Sequence, residues 1–310
     1  MSDEKHLIER LRVLARHPGA RGLADDAAVL PSPVGRDLVF THDMLVEGVH
    51  YLPGDPAGDV AWKLLAVNLS DLAAKGAEPL GVLMGFGLAG EPDWDEAFVA
   101  GLSRALDHFG VPLLGGDTVA QPRGDARVLG LTAIGQVAAG GAPDRRGARA
   151  GDLLFLTGPV GDAGIGLRIA RGQAEGPRRL LKAYRLPMPR LAEGRLLAPI
   201  AHAMADVSDG LLIDAGRIAD ASGLGVTIDL DAVPLSDEAR AFGTDRAARL
   251  AAATAGDDYQ LIAAVPPEAR AVAARHAVEI GRFGREPGLR LHDRDGAITP
   301  PDRRGYEHGR

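Results

Sequence analysis

The chain has 310 residues, 46% hydrophobic but only 4% aromatic, with 41 glycines and 21 prolines; a large core must therefore be built from Ala, Leu, Val and Ile between many tight turns. The formal charge of −7 argues against a general nucleic-acid or anionic-membrane binder, since both want a basic face. There is no cysteine, which excludes disulfides, thiolate zinc sites, iron–sulfur clusters and cysteine nucleophiles.

The first residues, Met1-Ser-Asp-Glu-Lys-His, are polar and lead into a helix, not into the apolar core of a signal peptide. Apolar positions at helical spacing (Leu7, Ile8, Leu11, Leu14) predict a helix over 6–17. Val29–Leu30 and Leu38–Phe40 read as short strands around a Pro-Ser-Pro turn. A helix is expected from Asp59, a plausible cap, to a stop at Gly76; a glycine-dotted strand follows over 80–88, then a helix over 93–109. Val111–Leu114 and Val128–Val137 read as strands.

Residues 139–151, rich in Gly, Ala and Arg and without apolar periodicity, read as a linker between a domain over 1–138 and one over 152–310. Beyond it, strands are predicted at 153–157, 204–207, 226–230, 259–265, 278–283 and 289–292. Helices are predicted at 162–171, through most of 178–204, and at 209–222 and 268–276. Strands and helices mix without strict alternation, so the fold class is mixed α/β (α+β) in two domains. No apolar run approaches the roughly 20 residues of a bilayer span, and a cytoplasmic protein without membrane or nucleic-acid partners is expected.

Aspartates recur where a short apolar run breaks into small residues: Asp25-Asp26, Asp43, Asp71, Asp117, Asp206, Asp209 and Asp257-Asp258. Gathering carboxylates is costly unless a cation neutralises them, and hard divalent metals usually bring phosphates. Asp43 and Asp117 are expected at strand C-terminal ends, where binding groups collect. Lys63, Asn68 and Asp71 share one face of a helix that is apolar nearly all round, so a buried Asp71 needs a partner and a metal would serve. Asp206-Val-Ser208-Asp209 stands at a strand-to-helix junction, where Ser208 and Asp209 are equally good helix caps or anion-site residues. His50 could donate to a substrate phosphate, and Arg145 and Arg146 lie in the linker. No Walker-type or protein-kinase signature is present, and Gly158-Pro-Val-Gly-Asp-Ala-Gly164 reads as a strand-to-helix turn. A Ser-Asp followed by a Gly-Asp recurs in the two halves (Asp71 with Asp117, Asp209 with Asp257). The echo counts as coincidence unless the paired aspartates occupy equivalent elements.

As a set, the segments Asp-Asp-Ala-Ala-Val (25–29), Thr-His-Asp-Met-Leu-Val-Glu-Gly-Val-His (41–50), Lys-Leu-Leu-Ala-Val-Asn-Leu-Ser-Asp-Leu-Ala-Ala-Lys-Gly-Ala-Glu-Pro (63–79), Gly-Gly-Asp-Thr (115–118), Arg-Arg-Gly-Ala-Arg-Ala-Gly-Asp (145–152), Val-Ser-Asp-Gly-Leu (207–211) and Gly-Asp-Asp-Tyr (256–259) resemble the thiamine-monophosphate kinase family. Aminoimidazole ribonucleotide synthetase and selenophosphate synthetase share that superfamily. The resemblance implies ATP-dependent phosphorylation of thiamine monophosphate to thiamine diphosphate by direct transfer on several Mg²⁺ ions. It also implies a homodimer paired through the sheets of the N-terminal, metal- and ATP-binding domains.

By position the resemblance makes Asp26, Thr41, His42, Asp43, Asp71, Asp117, Asp206 and Asp209 metal ligands, with Asp43, Asp117 and Asp209 at the chemistry. Gly116, Asp117, Arg145 and Ser208 become nucleotide contacts, and His50, Asp257 and Tyr306 substrate contacts. The chain departs from the family's pattern at Ala24, at His42 in place of a hydroxyl, at Asp257 in place of a Glu, and in lacking a second aromatic beside Tyr306. The selenophosphate and hydrogenase-maturation branches need a cysteine that this chain lacks, and the aminoimidazole branch would not carry the 63–79 block. A nucleotide-binding protein without turnover is the remaining alternative.

Overall fold

The computed structural model describes residues 3–24, 27–122 and 124–307. It divides into two compact units, one of residues 1–72 and 78–140, the other of residues 73–77 and 141–310. None of its helices is long and apolar enough to cross a membrane.

The first unit holds helix α1 (Asp3–Leu14), strand β1 (Arg36–Val46), helix α2 (Ala57–Ala74), strand β2 (Glu78–Leu88), helix α3 (Pro92–Phe109) and strands β3 (Leu113–Ala120) and β4 (Val128–Ala138). Its sheet runs β1-β4-β2-β3, antiparallel except for the β2–β3 pair. Successive residues of β1 alternate between faces, as a strand's period of two requires. Thr41, Asp43 and Leu45 turn toward α2, which is almost entirely buried, while Leu38 (43% exposed), Phe40 (61%) and Met44 (49%) turn the other way. On the helix side, Phe86 of β2 meets Phe98 of α3 edge-on at 5.0 Å, an arrangement worth about 0.5–1.5 kcal/mol beyond its burial. The opposite face is partly roofed by Ile8 and Leu11 of α1 and by Leu23 and Leu30, leaving a cavity of about 800 Å³ over the sheet.

The second unit comprises strand β5 (Leu153–Leu156), helices α4 (Asp162–Ala170), α5 (Arg178–Arg185) and α6 (Leu191–Leu197), strand β6 (Ala203–Asp206), helix α7 (Leu211–Ala221) and strand β7 (Gly225–Asp229). Helices α8 (Asp237–Arg240) and α9 (Arg246–Ala253), strand β8 (Leu261–Val265), helix α10 (Arg270–Ala273) and strands β9 (Val278–Gly284), β10 (Gly288–Asp293) and β11 (Gly296–Ile298) follow. The seven strands form one sheet in the order β11-β10-β7-β9-β5-β8-β6. Both faces are buried: Leu154 and Leu156 pack with Leu212 and Ile218 of α7, and Leu153 and Phe155 with Leu197, Leu261 and Val265. That explains why β5 and β8 are apolar without alternation.

The observed elements depart from the sequence-based ones in a few places. Val29–Leu30 is not a strand; Val29 N–H donates to the Gly19 carbonyl and closes a loop. β1 and β3 run on past the expected ends, because glycine, hydroxyl and imidazole residues still supply the backbone groups a ladder needs. Helices α8 and α9 were not anticipated from periodicity, although Ser236 and Asp245 cap them through Ala239 N–H and Ala248 N–H. Residues 145–147 form a 3-10 turn, and Ala148 is part of the core beneath α7. The internal echo is coincidental: Asp71 lies inside a helix and Asp209 in the turn before one, while Asp117 is in a strand and Asp257 is not.

Candidate active site

In the first unit the strand period and the α2 face bring three expected residues together. The Thr41 hydroxyl donates to Asp71 Oδ2, and Asp43 N–H donates to Asn68 Oδ1 at 2.9 Å. Asn68 is in turn fixed by its own Nδ2 donating to the Leu64 carbonyl at 2.9 Å. Lys63, only 2% exposed, sends its ammonium to the His50 carbonyl at 3.0 Å, and His50 Nδ1 accepts from Val46 N–H at 3.0 Å. One face of α2 thus orients β1 and the turn that carries His50. Asp26 lies outside the described residues.

Two expectations are corrected. His42 falls between Thr41 and Asp43, so its imidazole projects from the other face, where Nδ1 pairs with Thr132 Oγ1 at 2.9 Å and the ring lines the cavity. An imidazole ligand beside Thr41 and Asp43 is ruled out by the strand period. Asp43 and Asp117, expected at strand ends, instead stand within β1 and β3. The register runs Met44–Gly130–Gly85–Asp117 across the sheet, which places Asp117 on the face of Met44 and His42, away from Asp43 and Asp71. Gly116 is required by close packing: a Cβ there would stand 2.0 Å from the Met84 carbonyl oxygen.

In the second unit β6 delivers Asp206, buried at 7% exposure, and the chain then turns through Val207, Ser208, Asp209 and Gly210 into α7. Neither Ser208 nor Asp209 caps the helix; the cap position is Gly210, at φ 133°, a conformation glycine tolerates. The turn is held instead by Asp214, which sequence reading missed. Its Oδ2 accepts from the N–H groups of Ser208, Asp209 and Gly210 at 3.1, 3.0 and 3.2 Å. Burial first, and then the neighbouring Asp209 charge, push the Asp214 carboxyl up to about 6, against the pull of Arg217 and the backbone donors. Arg217 Nη1 joins Asp214 Oδ1 at 2.8 Å to Asp209 Oδ2 at 2.5 Å. The signal for both residues was the i, i+3 acid–base spacing on α7 directly after the Ser-Asp-Gly turn.

The same turn receives two other segments. Asp257 and Tyr259 N–H donate to the Ser208 and Val207 carbonyls at 2.8 Å each, and Tyr306 N–H to the Asp209 carbonyl at 2.9 Å. Asp257 and Tyr259 both hold positive φ, 68° and 49°, the kind of backbone strain that gathers at functional sites. The Tyr259 hydroxyl donates to Asp257 Oδ1 at 3.0 Å, so this acid, shorter than the family's Glu, is held within its own segment. Asp258 instead accepts from Gly161 N–H at 2.8 Å at the start of α4. Arg145 lies exposed in the 3-10 turn, with its carbonyl accepting from Ser222 Oγ at 3.3 Å.

In each unit the candidate groups are hard oxygen donors, Thr41, Asp43 and Asp71 in the first and Asp206, Ser208 and Asp209 in the second, a donor chemistry that fits Mg²⁺ and not a soft metal. Among the described residues no three His, Asp or Glu side chains stand close enough to hold a metal unaided. Mg²⁺ does not ask for such a cage; it usually binds through one or two carboxylates, waters and substrate phosphates.

Comparison with known proteins defines the class first. Residues 24–137 match the family model for the AIR synthase related protein N-terminal domain, and residues 149–294 that for the C-terminal domain. Thiamine-monophosphate kinase of Caulobacter vibrioides is 40% identical, with 98% of this chain and 90% of that one covered. The crystal structure of thiamine-monophosphate kinase from Stenotrophomonas maltophilia superposes with a TM-score of 0.82 at 35% identity, covering 95% and 96% of the two chains. AaThiL complexed with AMPPCP and TMP gives 0.79 at 28% identity, covering 90% and 89%. The chain belongs to the thiamine-monophosphate kinase family.

Proposed function

We propose that this protein transfers the γ-phosphoryl group of ATP to thiamine monophosphate, forming thiamine diphosphate in thiamine biosynthesis. The observation that carries the reading is the coverage of nearly the whole chain by thiamine-monophosphate kinases, one of them similar to this chain and solved with AMPPCP and TMP. Such transfer is mostly positioning and charge neutralisation and needs no protein nucleophile. The residues named below would hold Mg²⁺, which would supply that neutralisation by polarising the phosphates.

The residues proposed to serve the metal are Asp26, Thr41, Asp43, Asp71, Asp117, Asp206 and Asp209, with His42 limited to its backbone oxygen. The Thr41 hydroxyl fixes the Asp71 carboxylate, and Asn68 fixes the backbone of Asp43, so both acids are oriented before any ligand arrives. Gly116, Asp117, Arg145 and Ser208 are proposed for the nucleotide, and His50, Asp257 and Tyr306 for thiamine monophosphate. We read residues 1–138 as the metal, ATP and dimerisation domain, 139–151 as the linker and 152–310 as the C-terminal domain. The working enzyme is proposed to be a cytoplasmic homodimer. The apolar sheet face of Leu38, Phe40 and Met44 supports pairing there, and Asp117, in register with Met44, then serves from that shared face.

The test is purified protein with ATP, Mg²⁺ and thiamine monophosphate, separated by chromatography. Thiamine diphosphate is expected, and to vanish when Mg²⁺ is chelated. ATP binding without product would favour a binding protein that has lost turnover.

A further inference from the structure

The turn between β6 and α7 has its polar backbone groups taken from two sides. Its three N–H groups converge on one oxygen of Asp214, and its carbonyls accept from Asp257, Tyr259 and Tyr306. A single nitrogen of Arg217 then bridges the other Asp214 oxygen to Oδ2 of Asp209. The Asp209 side chain is 23% exposed, and its Oδ1 has no hydrogen-bond partner among the described residues. A monodentate metal carboxylate is built in this way, with one oxygen pinned by an outer donor and the other left for the ion. Without the guanidinium, Asp209 would face the 3%-exposed Asp214 as an unscreened like charge and swing toward solvent.

We propose that Arg217 is a positioning residue for phosphoryl transfer: it clamps Asp209 Oδ2 and leaves Oδ1 to meet Mg²⁺, while Asp214 fixes the turn from behind. The proposal rests on Asp209 being a metal ligand, as read above. Asp257 and Tyr306 hang on the same turn through its backbone carbonyls, which Arg217 does not touch, so the proposed substrate contacts stay in place when the clamp is removed.

The test compares wild type, Arg217→Ala and Arg217→Lys. Mn²⁺ binding is followed by electron paramagnetic resonance in the presence of a non-hydrolysable ATP analogue, and turnover is followed against Mg²⁺. Loss of a partner that orients a metal ligand typically weakens metal affinity by about 10–100-fold, and that loss is expected for Arg217→Ala in both readouts. Arg217→Lys should recover part of it, and KM for thiamine monophosphate at saturating Mg²⁺ should stay nearly unchanged. A merely structural arginine would lower the unfolding midpoint while leaving the metal dependence alone, and that result overturns the proposal. Should the alanine variant not fold, Arg217→Gln carries the same comparison. If wild type forms no thiamine diphosphate, the functional reading fails, and Mn²⁺ binding still decides the role of Arg217.

Discussion

Replacing Asp117 by Asn should cut kcat for thiamine diphosphate formation by at least about 10²–10³-fold, about 3–4 kcal/mol of transition-state stabilisation, and leave the fold untouched. Asp117 is exposed, and among the described residues its side chain accepts only from the N–H of the next residue, Thr118, at 2.9 Å. An amide oxygen can still accept that bond, so the thermal midpoint should not move; surface changes of this kind usually stay within about 0.5 kcal/mol. What the amide cannot supply is negative charge for a cation on the phosphates. The test is demanding because the sheet register sets Asp117 on the face opposite Asp43 and Asp71. Near-normal turnover in the variant, with wild type assayed alongside, would remove Asp117 from the metal set and leave Asp43 of β1 and Asp71 of α2 in it.

Asp214→Ala is expected to have the largest structural effect of any change near the site. It strips the acceptor from three backbone donors at once, one of them on the buried Gly210, and frees Arg217 from its inner partner. Each donor left buried and unpaired costs about 1–3 kcal/mol, and water can reach the outer two, so a total loss of about 2–4 kcal/mol is expected. Asp214→Asn keeps an oxygen for the three donors and should lose about half as much. Hydrogen exchange of peptides spanning β6 and the start of α7, with urea unfolding followed by far-ultraviolet circular dichroism, would measure both. Unchanged exchange at residues 208–210 in the alanine variant would mean that the turn is held by its carbonyl-side partners alone. Both tryptophans, Trp62 and Trp94, lie in the first unit, so far-ultraviolet circular dichroism is the more direct readout of the second.

Much of the candidate site was legible because the chain spells out its chemistry locally. The buried helix with Lys63, Asn68 and Asp71 on one face follows from helical spacing alone, and the structure finds all three engaged with β1 or the turn after it. The Asp206–Asp209 junction was readable as the break between a short strand, Ala203–Asp206, and an amphipathic helix. Strand ends were less legible. The ladders of β1 and β3 extend through Thr-His-Asp and Gly-Gly-Asp because pairing is paid in backbone groups that every one of those residues carries. The second unit's short helices were hidden by their length, since one or two turns give no periodicity to count.

The sequence by itself determined the donor chemistry, the two-unit organisation of strands and helices, and the family. These rest on residue identity and short-range spacing, which folding does not alter. Only the tertiary structure decided which carboxylates share a surface. A strand's period separates His42 from its neighbours, but it takes the register across four strands to put Asp117 on the far side from Asp43. Only the folded chain, likewise, curls residues 208–210 back onto α7, so that Asp214 and Arg217, ordinary helix residues on paper, become the anchor of Asp209. Charge and spacing are written along the chain, whereas facing and convergence exist only once distant backbone segments have paired.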